Sequence, residues 1–290
     1  MEHEITAFLD YLKAQHNYSE NTTAAYRNDL GQFLRFLQQH YANSVVVWTD
    51  VNPEIVTEYV EQMTSQPYAS SSVARKVAAI KSFFHYLESH KVVTEDPTTE
   101  IDSPKVEKRL PKTLDAIDIE NLLAAPTKGV GPKSLRDTAL LHLLYATGMR
   151  VTELVSLRLD DLDLANLTLQ CPGKDDHPRI LPYDDSTRDI LAHYLERGRP
   201  FLAKDDRVDA LFLNHRGQQL TRQGLWLIIK AYAEEAELSG SVTPHTLRHS
   251  FAAHKLSDGT DLQQVQQLLG HANISTTQIY RQISADETDS

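Results

Sequence analysis

The residues best suited to chemistry lie in the C-terminal part of the chain. In Pro244-His245-Thr246-Leu247-Arg248, a proline at a first helical position sets His245 in the opening turn. His245 and Arg248 are three apart and share a face, while Leu247 and Phe251 turn toward a core. Free N–H groups, the helix dipole and two side-chain donors would converge on an anion there. The plain alternative is a surface pair with no partner. His245, His249 and His254 also raise the question of a metal, because two histidines at i, i+4 can share zinc. No Glu follows His245 as the HExxH pattern requires, and Cys171 is the sole cysteine, so no metal site is expected. Further on, Gly270 ends a helical segment, His271 follows, and Tyr280 falls on a short helix. Tyrosine is an ordinary core residue, but a helix this short is not stable by itself, so this one is expected to have freedom to move.

The elements that must position these groups follow from periodicity. Residues 1–95 read as all helix. Ile5, Phe8, Leu9 and Leu12 form one stripe, and Asn21 can cap a second helix carrying Tyr26, Leu30, Phe33, Leu34 and Leu37. Asn52-Pro53 starts a third helix, and Ser70 to Ser72 precede a fourth with Val73, Val77, Ile80, Phe84 and Leu87 inward. Arg75, Lys76 and Lys81 are expected off that stripe, on a solvated face. Prolines 97, 104 and 111 break the pattern over 96–112, and from 105 to 112 Lys105, Lys108, Arg109 and Lys112 face one acid, Glu107. This is a basic linker, and 113–290 is a second domain. There, 118–125 and 135–145 are helical, Thr147-Gly148 is a break, and Arg150 opens another helix. The period then changes to two. Residues 167–171 and 179–182 flank Gly173-Lys174-Asp175-Asp176 as a β-hairpin, and Ala210 to Leu213 make a third short strand. Thr243-Pro244, Thr260 with Gln263, and Ser275 with Gln278 start three more helices.

Composition bounds the class. The 290 residues are 41% hydrophobic and 24% charged, enough for two buried cores. The longest apolar runs fall short of a membrane span, and MEHEITAFLDYLKAQ lacks the basic start and apolar block of a secretory signal. A single cysteine forbids an internal disulfide. A cytoplasmic protein is expected. The formal net charge of -11 argues against a general nucleic-acid binder, although a phosphate-binding surface needs only local positive charge.

Taken together, the motifs resemble those of the tyrosine recombinases (the phage integrase family), and of the bacterial Xer type in particular. Ala146-Thr147-Gly148-Met149-Arg150-Val151-Thr152-Glu153-Leu154 is similar to that family's first arginine motif. Pro244 to Phe251 is similar to its His-x-x-Arg motif, Leu268-Leu269-Gly270-His271 with Tyr280 to its last two elements, and Gly173-Lys174 to its hairpin lysine. The resemblance runs the length of the chain. It implies a mainly α fold with a β-hairpin or three-stranded sheet, and two domains: a SAM-like helical core-binding domain and an α-rich catalytic domain. It implies six catalytic residues, Arg150, Lys174, His245, Arg248, His271 and Tyr280. Tyr280 would attack phosphorus to leave a 3′-phosphotyrosine, Arg150 and Arg248 would grip the non-bridging oxygens, and His271 would donate to one of them. Lys174 would protonate the leaving 5′-oxygen, and His245 would move protons and position phosphate. Glu153 would hold an arginine in place. Ionising a free tyrosine at pH 7 costs roughly 4 kcal/mol, and the two arginines with a hydrogen-bonding His are expected to offset much of it.

The same resemblance implies no cofactor, metal or ATP, and a double-stranded recombination site bound by a homo- or hetero-tetramer. A second Xer-type recombinase and an FtsK-type translocase would be partners in resolving chromosome dimers. Arg75, Lys76, Lys81, Lys105, Lys108, Arg109 and Lys112 are the candidate DNA contacts. A mobile-element integrase shares the same residues. A strand-passing topoisomerase uses similar ones, and a non-catalytic DNA-binding regulator would not need the tyrosine. Two features depart from the family pattern. Asp175-Asp176 follow Lys174 directly, and the polar residues 284–290 are expected to be short for a C-terminal docking helix.

Overall fold

The computed structural model describes residues 1–16, 18–102, 111–171, 178–205, 207–271 and 276–280. The chain divides into two compact units, Met1–Lys108 and Arg109–Ser290.

The first unit holds four helices: α1 (Glu2–His16), α2 (Glu20–His40), α3 (Pro53–Ser65) and α4 (Ser70–Ser89). Asn52 caps α3 as expected, its side chain accepting the Ile55 N–H, with Pro53 at the first turn. Helix α2 starts earlier than Asn21 suggests. Ser19 supplies the cap, accepting from the Thr22 N–H, so the first-turn donor is satisfied two residues upstream of the expected cap. The serine run 70–72 lies inside α4, behind an Ala69 cap without a side-chain bond. The apolar stripes close on Phe8, Leu30, Phe33, Phe83, Phe84 and Leu87, all fully buried. Trp48 packs edge-on against Phe83 with centroids 4.8 Å apart, and its indole N–H donates to the Met1 carbonyl.

One expectation for α4 fails. Lys76 is not on a solvated face: it is 3% exposed, with Nζ 3.2 Å from Asp29 Oδ1 and donating to Gln32. Asp29 itself is fully buried and also accepts from Arg75. The physical reason is spacing. Residues 73, 76, 80, 83 and 87 keep the i+3/i+4 rhythm of the stripe, so Lys76 points inward and needs a buried counter-charge. Lys81 is half-buried.

In the second unit, α5 (Ala116–Ala124), α6 (Pro132–Thr147) and α7 (Val151–Ser156) precede a small sheet. Helix α6 is a core helix, with Leu140, Leu141, Leu143 and Leu144 all at 0% exposure. It stops at Gly148, whose φ is +58°. A Cβ there would lie 2.2 Å from the Phe251 ring, so both the conformation and the space require glycine. The sheet is antiparallel in the order β1 (Leu162–Asp163), β2 (Thr168–Cys171), β3 (Arg179–Pro182). The two segments read as a hairpin do pair, Leu169 with Leu181 and Cys171 with Arg179. Leu169, Cys171 and Leu181 face the core while Ile180 points to solvent. The third strand is not 210–213. Ala210 and Leu213 make only isolated bridges, to Arg158 and Gln219, because that buried segment spends its bonds on Leu157 and Leu220. The nearer segment 162–163 reaches β2 by a short turn and pairs there instead.

The remaining helices are α8 (Asp185–His193), α9 (Arg199–Leu202), α10 (Arg222–Glu235), α11 (Pro244–Ser257) and α12 (Leu262–Leu269), and residues 276–280 are again helical. Thr243 caps α11 as expected, accepting the Thr246 N–H. Asp261, not Thr260, caps α12 by accepting the Gln263 N–H, and Gly270 ends it at φ +62°.

Candidate active site

The sequence elements converge on the C-terminal end of α12. A helix end leaves its last carbonyls without helical partners. Here three consecutive ones accept from three guanidiniums brought in by three different elements. The Leu268 carbonyl accepts from Arg179 Nε at 3.1 Å, the Leu269 carbonyl from Arg248 Nη2 at 2.6 Å, and the Gly270 carbonyl from Arg150 Nη2 at 2.7 Å. Cations at this end also oppose the negative pole of the helix dipole. Arg179 comes from β3, Arg248 from α11, and Arg150 from the residue capping α7. Arg248 reaches a second carbonyl, Gly148, at 2.6 Å, which the left-handed turn after α6 exposes.

Glu153 ties this cluster together. Its two oxygens accept from Arg179 Nη1 and Nη2, each at 2.9 Å, in a bidentate pair. It also accepts from the Arg150 side chain at 2.9 Å and the Arg150 N–H at 2.7 Å. Burial alone would raise its pKa, but Arg179 and Arg150 hold the carboxyl at about 2. Three guanidiniums against one carboxylate leave a local charge of +2 (3 − 1) within a chain whose total is -11. In the first unit Arg75 and Lys76 both contact the buried Asp29, two cations on one carboxylate.

Tyr280 lies beside the cluster. It is 3% exposed, packed with Phe251, Ala252, Val265 and Leu269, so it is anchored rather than loose. Its hydroxyl is 2.7 Å from His249 Nδ1. The His271 ring stacks 6.4 Å from the Tyr280 ring, and His271 Nδ1 is 3.0 Å from Thr277 Oγ1. His245 stands exposed in the first turn of α11, its ring 6.2 Å from that of His249.

The comparisons with known proteins bear on the same residues. The model of the "Phage integrase family" matches residues 112–287, and that of the "Phage integrase, N-terminal SAM-like domain" matches 5–91. The chain is 49% identical over 286 residues to the tyrosine recombinase XerC of Roseiflexus sp. (strain RS-1), covering 98% of this chain and 90% of the relative. It is 43% identical to the tyrosine recombinase XerD of Listeria monocytogenes serotype 4b (strain F2365), covering 97% and 94%. The chain belongs to the phage integrase family. The fold agrees: a XerH site-specific recombinase bound to palindromic difH substrate superposes with a TM-score of 0.77 at 21% identity, covering 99% of this chain and 93% of that one.

Of the six residues that the family motifs single out, five meet in the second unit: Arg150, His245, Arg248, His271 and Tyr280. Lys174 lies outside the described residues, as do Lys105, Lys108 and Arg109. Lys112 is exposed. The integrase-family motifs did not single out Arg179 or His249. Arg179 carried one signal, a charged residue opposite buried Cys171 in a register that buries alternate positions.

The electrostatics of the site are those of a place prepared for an anion. Burial lowers the Arg248 pKa to about 10, and the like charge of Arg150 adds to the effect; it remains a cation at neutral pH. His271 is pushed down to about 4 by burial, then by Arg248 and Arg150, so it is a neutral imidazole. Burial pushes the Tyr280 hydroxyl up, against the pull of Arg248. The expected offset from the arginines is therefore outweighed in the free protein, and Tyr280 stays protonated. Among the described residues, one group has metal-ligand geometry: His85, Glu88 and Asp96 in the first unit have ligand atoms within 4.8 Å of one another, the first two exposed.

Proposed function

We propose that this chain is a site-specific DNA recombinase that cuts and rejoins strands through a 3′-phosphotyrosine formed on Tyr280. The observation that carries the reading is the nucleophile's setting. The Tyr280 hydroxyl sits beside a cluster of net positive charge whose buried Arg248 contacts carbonyl dipoles and, among the described residues, no carboxylate. Arg248 and Arg150 each have five N–H donors, and their contacts to described residues use only part of that set. The rest can take the non-bridging oxygens of a phosphodiester, where charge grows in the transition state. His271, with Nδ1 engaged by Thr277, has Nε2 left to donate to the same group. His245 stands in the opening turn of α11, where N–H groups and the helix dipole favour phosphate. Lys174 supplies the proton for the leaving 5′-oxygen. The phosphotyrosine keeps the energy of the bond it replaces, so a second strand's 5′-hydroxyl can reseal without ATP.

The near full-length likeness to XerC and XerD relatives supports a housekeeping role, the resolution of chromosome dimers at cell division in the cytoplasm. In this reading residues 1–95 bind DNA, 96–112 are a basic linker, and 113–290 carry the chemistry. Two pairs of protomers occupy one roughly palindromic site, with a second Xer-type recombinase and an FtsK-type translocase as partners.

The test uses a duplex selected by the protein from a randomised pool, nicked next to the cleavage point. On a denaturing gel the wild-type protein gives a covalent DNA adduct, and Tyr280→Phe gives none. An adduct that persists in Tyr280→Phe moves the nucleophile elsewhere; no adduct from wild type removes the cleavage reading.

A further inference from the structure

We propose that His249 is the proton acceptor for Tyr280 during strand cleavage and returns that proton when the strand is resealed. The inference rests on the reading of Tyr280 as nucleophile. It starts from a direct contact: His249 Nδ1 lies 2.7 Å from the Tyr280 hydroxyl, the oxygen that must lose a proton to attack phosphorus. Distances of this kind are what a general base requires before its pKa is considered. None of the other histidines near the site makes a described hydrogen bond to that hydroxyl: His271 Nδ1 engages Thr277, and His245 stands exposed beside the His249 ring.

Chain geometry fixes the pairing. His249 follows Arg248 on α11, so one turn of helix delivers both the phosphate-binding guanidinium and the proton acceptor. Phe251 and Leu269 pack around Tyr280 and keep its ring against them. The groups facing His249 are Tyr280, His245, Arg248 and His271. Burial, then His245 and Arg248, depress His249 to about 4, which keeps it neutral and able to accept. A phosphodiester bound between Arg248 and Arg150 brings a negative charge close to the imidazole. That charge favours imidazolium, so the base strengthens when substrate arrives.

The step balances. The Tyr280 Oη–P bond forms as the P–O5′ bond breaks. The Tyr280 proton passes to His249 Nδ1, and the leaving 5′-oxygen takes its proton from Lys174. In resealing, the incoming 5′-hydroxyl gives its proton to Lys174, and Tyr280 takes its own back from His249.

The experiment is single-turnover cleavage of the selected, nicked duplex by full-length protein across a range of pH. His249→Asn keeps an acceptor oxygen near the Nδ1 position but cannot take the proton. It is expected to bind DNA as wild type does and to cleave about 10²–10³-fold more slowly at neutral pH. The deficit should shrink as pH rises, because hydroxide then ionises Tyr280 directly. A bridging 5′-phosphorothiolate at the scissile position leaves without a proton, so it should relieve Lys174→Ala and leave His249→Asn slow. Cleavage by His249→Asn at the wild-type rate, a deficit independent of pH, or relief by the phosphorothiolate would each overturn the assignment. If wild type forms no adduct, the function itself fails; if wild type does and His249→Asn matches it, only this role fails. A second measurement needs no variant at 249. In ¹⁵N-histidine spectra the neutral His249 should carry its proton on Nε2, and its Nδ1 resonance should move in Tyr280→Phe. A proton on Nδ1 in the wild type would overturn the proposal.

Discussion

Lys76 and Arg248 are both cations buried to within a few per cent of complete, and they are buried in opposite ways. Lys76 lies in the first unit against the carboxylate of Asp29, itself fully buried and shared with Arg75. Its charge meets a carboxylate inside the fold. Arg248 has no carboxylate contact among the described residues; its guanidinium rests on the Gly148 and Leu269 carbonyls. Partial charges hold it in place without cancelling it, and Glu153 spends its oxygens on Arg150 and Arg179. A buried cation normally needs a counter-charge. Where the fold withholds one, the proposed function supplies it from outside, as a phosphate.

The contrast can be broken at its strongest point first. Arg248→Ala should lower single-turnover cleavage by about 10³-fold while leaving duplex binding largely intact. Equal loss of binding would mean that Arg248 holds the fold and not the phosphate. Lys76→Met should do the reverse. Asp29 keeps only Arg75, so urea unfolding should show a loss of about 4 kcal/mol, with the cleavage rate per folded molecule unchanged. Replacing Asp29 by Leu in the same chain should be milder than Lys76→Met alone.

Glu153 gives the next largest effect. Its folded pKa of about 2 lies below the ordinary 4.5, so its contribution is present above pH 4.5 and is lost as pH falls through about 2. That contribution is about 3 kcal/mol. Stability measured over this window should fall steeply in the wild type and more shallowly in Glu153→Gln. Identical slopes would show that the bridge between Arg150 and Arg179 is not what depresses the carboxyl. The smallest effect tests the contrast most directly. Inorganic sulfate at a few times its Kd should stabilise the wild type by about 1 kcal/mol beyond its effect on Arg248→Ala. Lys76→Met should keep that increment, since its cation was never available.

The parts legible in the sequence were those encoded over a few neighbouring residues. Asn52-Pro53 and Thr243-Pro244 cap their helices as expected, because a cap is a contact between residues three apart. The β2–β3 hairpin followed from alternation, and the break at Gly148 from its position after an apolar helix. What escaped depends on distant partners. Arg179 finds Glu153 26 residues away and Leu268 89 residues away, and no local period encodes either. His249 was visible as one of three histidines at helical spacing, but its partner is 31 residues further on. Lys76 is a different case. It lay on the apolar rhythm all along, and the charge of its side chain outweighed its position.

The three guanidiniums on the end of α12 also set the order in which this protein becomes dangerous. Arg150 and Arg179 must wait for acceptors 120 and 89 residues downstream. During synthesis those acceptors emerge late, and contacts of such separation form late in folding as well. A growing chain therefore carries Arg150 and Arg179 before it carries the carbonyls that gather them. The tyrosine that would break a strand comes after the segment that organises the rest. On the proposed function an unfinished copy is thus an unarmed one, and DNA meets the nucleophile only after the rest of the site has been made.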